Sequence, residues 1–222
     1  QNNLKQLGVA LLLHHDAHHA FPAGARMKLG SMGPEVLANA NVAILPFLEE
    51  QAVERQWDHH LQYWEQLTTV LETPVDIFTC PTNGRQAVVD PLFESLGVPP
   101  GTALATTDYA YSRGVTDAWC VSNEYPLTEM GVFQIVTEGF ANPTTIRQIT
   151  DGTSHTFAMG EAAGGEHWPV CRRHGCTEPE GRLNADSPWM VGNLSNAALA
   201  DAGFITAGIY ACTMEPMNKR PV

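Results

Sequence analysis

The first 22 residues carry the clearest hydrophobic pattern in the chain. Leu4, Leu7 and Leu11 recur at steps of three and four residues, which places them along one face of a helix. Pro22 ends the pattern, because the residue before a proline is pushed out of the α region. No capping motif precedes the helix, and its first residue already lies within the pattern. We therefore expect the cut end of a longer helix that packs on the core through its leucines.

A second helical region covers residues 40–67, where apolar residues again recur at helical spacing. Pro46 is acceptable only in a first turn, so we predict one helix over Pro46–Asp58 and a further helical piece to Glu72. The segment Ala23–Gly33 lies between the two helical regions and contains three glycines. It is interpreted as a loop.

Short runs of β-forming residues follow the helices. We predict strands at Pro74–Cys80, Asp108–Tyr111, Gly131–Val136, Thr145–Ile149, Thr156–Gly160 and Phe204–Thr213. The fourth and fifth flank the turn sequence Asp151-Gly152-Thr153 and are expected to form a hairpin. Residues 85–107 and 161–203 show no clear period and are interpreted as loops. Helices that precede short strands predict an α+β fold with an antiparallel sheet.

The chain has 222 residues, of which 44% are hydrophobic, so it can bury a normal globular core. It contains no low-complexity linker, and we treat residues 1–222 as one domain. No run of about 18 apolar residues, the length that a membrane-spanning helix needs, is present. The 24 acidic and 12 basic residues give a formal charge of −12, which would repel polyphosphate backbones. We therefore expect no nucleic-acid partner.

The chain contains five cysteines, which are Cys80, Cys120, Cys171, Cys176 and Cys212. They form no Cys-x-x-Cys pair, which argues against a zinc ribbon. Cys171 and Cys176 are separated by a turn-like spacer, so a local disulfide could form there in an oxidising compartment. Buried free thiols are the alternative, and they are the commoner state in cytosolic chains.

Four histidines near the end of the first helix form two pairs at helical spacing, His14 with His18 and His15 with His19. Residues four apart on a helix have neighbouring side chains, which is the geometry of a two-histidine metal clamp. A zinc site normally has three or four ligands, so a third would come from elsewhere in the chain, such as the loop over residues 167–176. The alternative is structural, with His15 and His18 packed beneath the sheet and His14 and His19 solvated.

A further metal candidate is His174, which lies with His167, Cys171 and Cys176 in one predicted loop. A plain disulfide is the alternative at that loop. Neither standard glycine-rich phosphate-binding pattern is present. We therefore expect no cofactor, and a divalent metal ion is the one exception that the histidine patterns leave open.

The turn around Asp151, Ser154 and His155 contains the residue types of a catalytic triad. A triad needs these groups to converge in space, and neighbours on a strand point to opposite faces, so Ser154 and His155 are not expected to share a proton. We expect a structural role instead, in which Asp151 caps the turn and Gly152 supplies a positive φ. The five tryptophans could form a glycan-binding face, although such residues are more often core or interface anchors.

Five stretches of the chain, taken together, resemble the planctomycete pilin-like proteins known as the DUF1559 family. They are Asn2–Gln6 with Gly8, Ala10, His15, Asp16, His18, Phe21 and Pro22; Ile44–Gln51; Phe78–Thr82; Thr107–Ala110; and Ile149–Thr156 with Met159–Glu161. They occur in the family's order. At His14 and His19 the family usually has an aromatic residue and a glycine, so the resemblance implies nothing about these two histidines.

The resemblance implies a pilin-like fold, with the N-terminal helix packed on an antiparallel sheet. It implies export to the cell surface or periplasm and a membrane anchor in a helix upstream of Gln1, while the family's closing strand would follow Val222. It further implies assembly of the type IV pilus or type II secretion pseudopilin kind, with other pilin-like subunits or secretion-system components as partners. In an exported protein, we expect Cys171 and Cys176 to be joined, or each to pair with another cysteine, Cys120 or Cys212.

We therefore expect a non-enzymatic protein that acts by assembly or by surface binding. The alternative is a secreted module that binds a metal ion or a glycan. The missing anchor helix would supply most of an assembly interface, and stable interfaces bury about 1,200–2,000 Å². This chain by itself is accordingly expected to be monomeric or weakly associated in solution.

Overall fold

The computed structural model describes residues 2–31, 33–84, 87–112, 114, 131–161, 168–170, 181–183, 187–191 and 210–211. The helices among them are α1 (Asn2–His18), α2 (Ala40–Ile44), α3 (Gln51–Glu54), α4 (Thr68–Leu71) and α5 (Pro91–Ser95). The strands are β1 (Ala25–Gly30), β2 (Gly33–Asn39), β3 (Ala87–Val88), β4 (Leu104–Thr107), β5 (Tyr109–Ser112), β6 (Ile135–Thr137), β7 (Met159–Glu161), β8 (Trp168–Val170), β9 (Gly181–Leu183), β10 (Ser187–Pro188) and β11 (Tyr210–Ala211). Short 3-10 helical turns cover Leu45–Leu48, Tyr63–Glu65, Asp76–Phe78, Ile146–Gln148 and Thr153–His155. One long helix combined with small sheets confirms the predicted α+β class.

The strands of the described residues form four small sheets. Strand β1 lies between β2 and β6, β4 lies between β10 and β3, β5 lies between β11 and β7, and β8 pairs with β9. Most pairs are antiparallel, as expected, but β1 runs parallel to β6 and β5 runs parallel to β11. These two parallel pairs join strands that are far apart in the chain, which the chain order alone did not predict.

Helix α1 packs on the core through the predicted stripe. Leu7 and Leu11 are buried, and Leu4 packs partly buried against the same core cluster. The helix ends at His18 rather than at Pro22, because His19 adopts a left-handed backbone conformation with φ of 58°. No helix among the described residues has the length and apolar character needed to cross a membrane.

The segment Ala23–Gly33, interpreted as a loop, is instead the first part of a hairpin in which β1 pairs antiparallel with β2. Its two basic side chains bind a distant loop: Arg26 Nη2 donates to the His59 carbonyl at 2.8 Å, and Lys28 Nζ donates to the His60 carbonyl at 3.2 Å. Glycines at both ends of β1 suggested a loop, but they mark the limits of the strand.

The predicted helix over Pro46–Asp58 is wrong, because the chain there forms short helical pieces. Pro46 lies in the 3-10 turn Leu45–Leu48, and Glu49 then breaks the helix with a left-handed φ of 64°. The predicted strand at Pro74–Cys80 is also wrong. It contains the 3-10 turn Asp76–Phe78, which lets Val75 and Phe78, three residues apart, both point into the core.

The predicted hairpin of Thr145–Ile149 with Thr156–Gly160 does not form. The first segment contains the 3-10 turn Ile146–Gln148, and β7 pairs antiparallel with β5 instead. The predicted strand at Asp108–Tyr111 is confirmed as β5, whereas residues 85–107, expected to be loop, contain β3, α5 and β4. Strand β6 covers the end of the predicted strand Gly131–Val136. Strand β11 lies within the predicted strand Phe204–Thr213, whose other residues lie outside the described part of the chain.

Tryptophans are core anchors where the structure describes their side chains. Trp189 is completely buried, and its ring packs at 6.0 Å from Trp57 and 5.9 Å from Phe78. Trp64 is partly buried and stacks edge-on against Tyr63 at 4.6 Å. Burial of Trp57 and Trp189 leaves neither ring available for a glycan. The side chains of Trp119 and Trp168 lie outside the described residues.

Truncation of the buried stripe provides a test of α1 packing. Leu7 is 0% exposed, so Leu7→Ala is expected to lower the free energy of unfolding by about 2–5 kcal/mol, the usual cost of such a cavity. Leu67, which is 64% exposed, is the matched control, and Leu67→Ala should change stability by less than about 0.5 kcal/mol. Urea unfolding followed by circular dichroism measures both. Equal stability of the two variants would contradict the packing of α1.

The sequence pattern also predicts that the leucine stripe packs on strand residues such as Val132, Phe133 or Phe157, and of these Phe157 is instead 73% exposed. The other two expected neighbours, Val132 and Phe133, are buried and belong to the same core cluster as Leu7 and Leu11.

Candidate functional site

The C-terminal end of α1 brings two histidine rings together beside a phenylalanine. The ring centroids of His14 and His18 are 4.5 Å apart. Phe47 packs edge-on against both, at 5.7 Å from His14 and 6.2 Å from His18. It belongs to the 3-10 turn Leu45–Leu48, which packs against α1. The predicted His14–His18 pair is thus formed, and Phe47 is a neighbour that the sequence pattern did not reveal.

His14 is held in one orientation by the backbone that follows the helix. Its Nδ1 lies 3.0 Å from the Ala20 carbonyl oxygen. A carbonyl oxygen can only accept, so Nδ1 carries the proton and Nε2 has a free lone pair. Partial burial lowers the pKa of His14, and the nearby His18 and His15 lower it further, while the bond to Ala20 opposes the shift. The ring is therefore neutral at neutral pH.

The second predicted pair, His15 with His19, is not a helical pair in the structure. His15 Nε2 accepts a hydrogen bond from the backbone N–H of Ile146 at 3.2 Å, and its ring packs 4.9 Å from Phe21. His19 lies beyond the end of α1, in the left-handed conformation noted above. His15 is therefore used in packing, as the structural alternative expected. That alternative is wrong for the other pair, because His18 is exposed and His14 is partly buried.

No group of three or more histidine, cysteine, aspartate or glutamate side chains among the described residues could hold a metal ion. His174, with its predicted partners His167, Cys171 and Cys176, lies outside the described residues. The same is true of Cys120 and Cys212, so the expected disulfides lie outside them as well. Cys80, which the structure does describe, is a free thiol.

Ser154 and His155 form a hydrogen bond, contrary to the prediction from strand geometry. Ser154 Oγ lies 3.0 Å from His155 Nδ1, because the segment is the 3-10 turn Thr153–His155 and its neighbouring side chains do not alternate. Gly152 has the predicted positive φ, at 84°. Both side chains of the pair are exposed, and no carboxylate of the described residues hydrogen-bonds the imidazole. The pair therefore lacks the orienting group of a triad.

Three stretches that carry the family resemblance meet the N-terminal end of α1. Asn3 Nδ2 donates to the Thr79 carbonyl at 3.0 Å, and its side chain lies beside the Tyr109 phenol. Tyr109 pairs with Glu161 across β5 and β7. Burial raises the pKa of the Tyr109 phenol, and the nearby Cys80 and Glu161 raise it further. This arrangement fixes the start of the helix on the strands.

Asp108 is the buried centre of these contacts, with 1% of its surface exposed. Its carboxylate accepts the backbone N–H of Cys80 at 2.6 Å and the side-chain amide of Asn83. Its own backbone N–H donates to the Phe78 carbonyl at 2.8 Å. The resembling stretches Phe78–Thr82 and Thr107–Ala110 therefore hold each other in place through a satisfied buried carboxylate.

The comparison with protein families extends this resemblance to most of the chain. A family model described as "Protein of unknown function (DUF1559)" matches residues 1–214. The chain belongs to the DUF1559 family. No curated protein and no solved structure matches it. The recognition of the family from five stretches is thus confirmed, and the pilin-like character stays a prediction.

This DUF1559 protein also presents an apolar helix surface that the core of the described residues leaves about half exposed. Val9, Leu12 and Leu13 are 48%, 49% and 44% exposed, on the side of α1 opposite the buried leucines. Lys5 and Asp16 flank them along the helix and are exposed. We call these five residues the outer face of α1. The sequence showed the apolar residues, but their orientation required the fold.

Replacement of the Asp108 carboxylate tests whether its hydrogen bonds with Cys80 and Asn83 stabilise the fold. Asp108→Asn exchanges one acceptor oxygen for an N–H donor that faces the donors of Cys80 and Asn83. We expect the free energy of unfolding to fall by about 1.5–3 kcal/mol, the worth of hydrogen bonds to a charged group. Asp76→Asn, at an exposed position, is the control and should stay within about 0.5 kcal/mol of the parent. If urea unfolding gave the same midpoint for both variants, the carboxylate would not be structural.

Proposed function

We propose that this DUF1559 protein is a non-enzymatic, pilin-like subunit that acts by assembly at the cell surface or in a secretion system. The observation that supports this proposal is the outer face of α1. Export and a membrane anchor upstream of residue 1 are parts of the same proposal, and they rest on the family resemblance. The partners would be other pilin-like subunits or components of a secretion system.

The outer face has the composition of a contact surface. Val9, Leu12 and Leu13 lie at steps of three and four residues, so they form one continuous stripe on the helix. Each leaves nearly half of its surface in water, as the exposures above show. A clustered apolar patch that is bordered by charged residues is typical of a surface that binds another chain. The partner that fits such a stripe best is the apolar face of another helix.

The contacts of residues within the stretches that resemble the family support a non-enzymatic role. Asp108 is buried and its carboxylate binds the backbone of Cys80, while Tyr109 is buried and its strand pairs with Glu161, so both residues serve the fold. The exposed Ser154–His155 pair has no orienting carboxylate among the described residues. The described residues therefore include an exposed apolar surface suited to assembly, but no group of side chains arranged for catalysis.

The size of the outer face also fits weak association of the isolated chain. Three half-exposed aliphatic side chains bury far less than the roughly 1,200 Å² of a stable interface. The formal charge of −12 adds repulsion between copies, which salt would screen. An anchor helix that continues α1 would extend the same stripe and supply the missing area. The outer face would then orient subunits that the anchor holds together.

Substitution within the outer face tests the proposal. Sedimentation equilibrium at high protein concentration should show weak self-association that strengthens with salt. Leu12→Gln/Leu13→Gln should weaken it at least about tenfold, because the exposed half of a leucine is worth roughly 1 kcal/mol on burial. Unfolding stability should change little, since both side chains are about half exposed.

The matched control is Leu67→Gln/Val89→Gln, which removes two exposed apolar side chains from other parts of the surface. This control should associate like the parent chain. Equal association of all three proteins would contradict a role for the outer face.

A further inference from the structure

We propose that His14 and His18 form a two-ligand binding site for a borderline divalent transition metal, such as Zn²⁺, Ni²⁺ or Cu²⁺, with its remaining coordination positions open. Imidazole nitrogen suits these ions, whereas Mg²⁺ and Ca²⁺ prefer oxygen. The inference does not depend on the assembly proposal, because the histidine pair lies apart from the outer face of α1.

The spacing of the two rings fits a shared metal ion. With a metal–nitrogen distance of about 2.1 Å, two imidazoles that bind one ion at a right or tetrahedral angle place their centroids roughly 4.5–5.3 Å apart. The observed separation of His14 and His18 is 4.5 Å, with the ring planes inclined by 42°. The helix sets this spacing, since residues four apart lie one above the other.

The hydrogen bonding of His14 prepares it as a ligand. Its Nδ1–H donates to the Ala20 carbonyl at 3.0 Å, which directs the Nε2 lone pair away from the backbone. Metal-binding histidines almost always donate their other ring N–H to a carbonyl or carboxylate in this way, which fixes the tautomer and the ring orientation. None of the hydrogen bonds among the described residues reaches Nε2 of His14.

His18 and Phe47 complete the arrangement. His18 is exposed and its side chain makes no hydrogen bond within the described residues, so its ring nitrogens are available to an ion. Phe47 packs edge-on against both rings and limits the directions that they can take. By contrast, Nε2 of His15 is already occupied by the Ile146 N–H. The structure therefore distinguishes one histidine pair from the other, which helical spacing alone did not do.

The open positions determine what the site can do. Two protein ligands leave two or more positions of the ion for water or for a donor group from another molecule. The site is thus suited to holding a metal ion reversibly or to bridging the helix end to a ligand that brings its own nitrogen, oxygen or sulfur donor. Either role gives moderate affinity and access from solvent.

Calorimetric titration with ZnCl2 at pH 7.5, on protein freed of metal with a chelator, tests the site. We expect one equivalent of Zn²⁺ to bind the parent chain. His14→Gln/His18→Gln should weaken binding at least about tenfold, the lower bound for disturbing a metal site. His18→Gln alone replaces an exposed side chain, so it should show the same loss without any change in folding.

The matched control is His15→Gln/His19→Asn, which also removes two imidazoles. Gln keeps an acceptor for the Ile146 N–H, and Asn tolerates the left-handed backbone of residue 19. This control should bind Zn²⁺ within about threefold of the parent. A second readout is NMR with Ni²⁺, which should broaden the ring signals of His14 and His18 first. Unchanged affinity of His18→Gln, or prior broadening of other histidines, would overturn the assignment.

Discussion

The backbone carbonyl of Trp189 holds distant parts of this fold together. It accepts hydrogen bonds from the side-chain amides of Asn39 and Asn41, each at 2.8 Å and across 150 and 148 residues of chain. All three residues are 1% exposed or less, so water cannot replace these bonds. An unsatisfied buried polar group costs roughly 1–3 kcal/mol, which ties the placement of β2 and α2 to the placement of Trp189. The backbone N–H of Trp189 donates to the carbonyl of Ala105 in β4, and its indole N–H donates to the carbonyl of Thr73.

The same contacts extend from Trp189 to the first helix. The side chain of Asn41 accepts a hydrogen bond from the Tyr111 hydroxyl at 2.8 Å, and burial raises the pKa of this phenol, so it keeps its proton and donates. The Tyr111 ring packs 4.7 Å from Phe133, which lies 6.3 Å from Phe21, and Phe21 lies 4.9 Å from His15 of α1. One buried network therefore leads from the late strands to the histidine end of α1. The helix is therefore held with one face in the core and the opposite face exposed to solvent.

Local sequence patterns predicted the features that depend on residues close together in the chain. They missed the features that depend on contacts between residues far apart in the chain. The burial of Leu7 and the His14–His18 pair follow from helical spacing, so both were predictable. Phe47 beside that pair could not be predicted, because the tertiary fold brings it there. A 3-10 turn is present where a strand was expected around Phe78, because the Asp108 carboxylate binds the segment that follows Phe78. Trp189 lay in a stretch that was interpreted as irregular, and its partners are about 150 residues away.

Native-state hydrogen exchange tests most directly whether α1 and the strands form one cooperative unit. The amides of Leu11 in α1, of Asp108 and of Trp189 all belong to the buried network or to the helix that rests on it. We expect the three amides to exchange with the same free energy, equal to that of global unfolding in urea. Exchange of the Leu11 amide at a free energy lower by more than about 1 kcal/mol would show that α1 opens independently. It would contradict the conclusion that the buried contacts fix the helix to the strands.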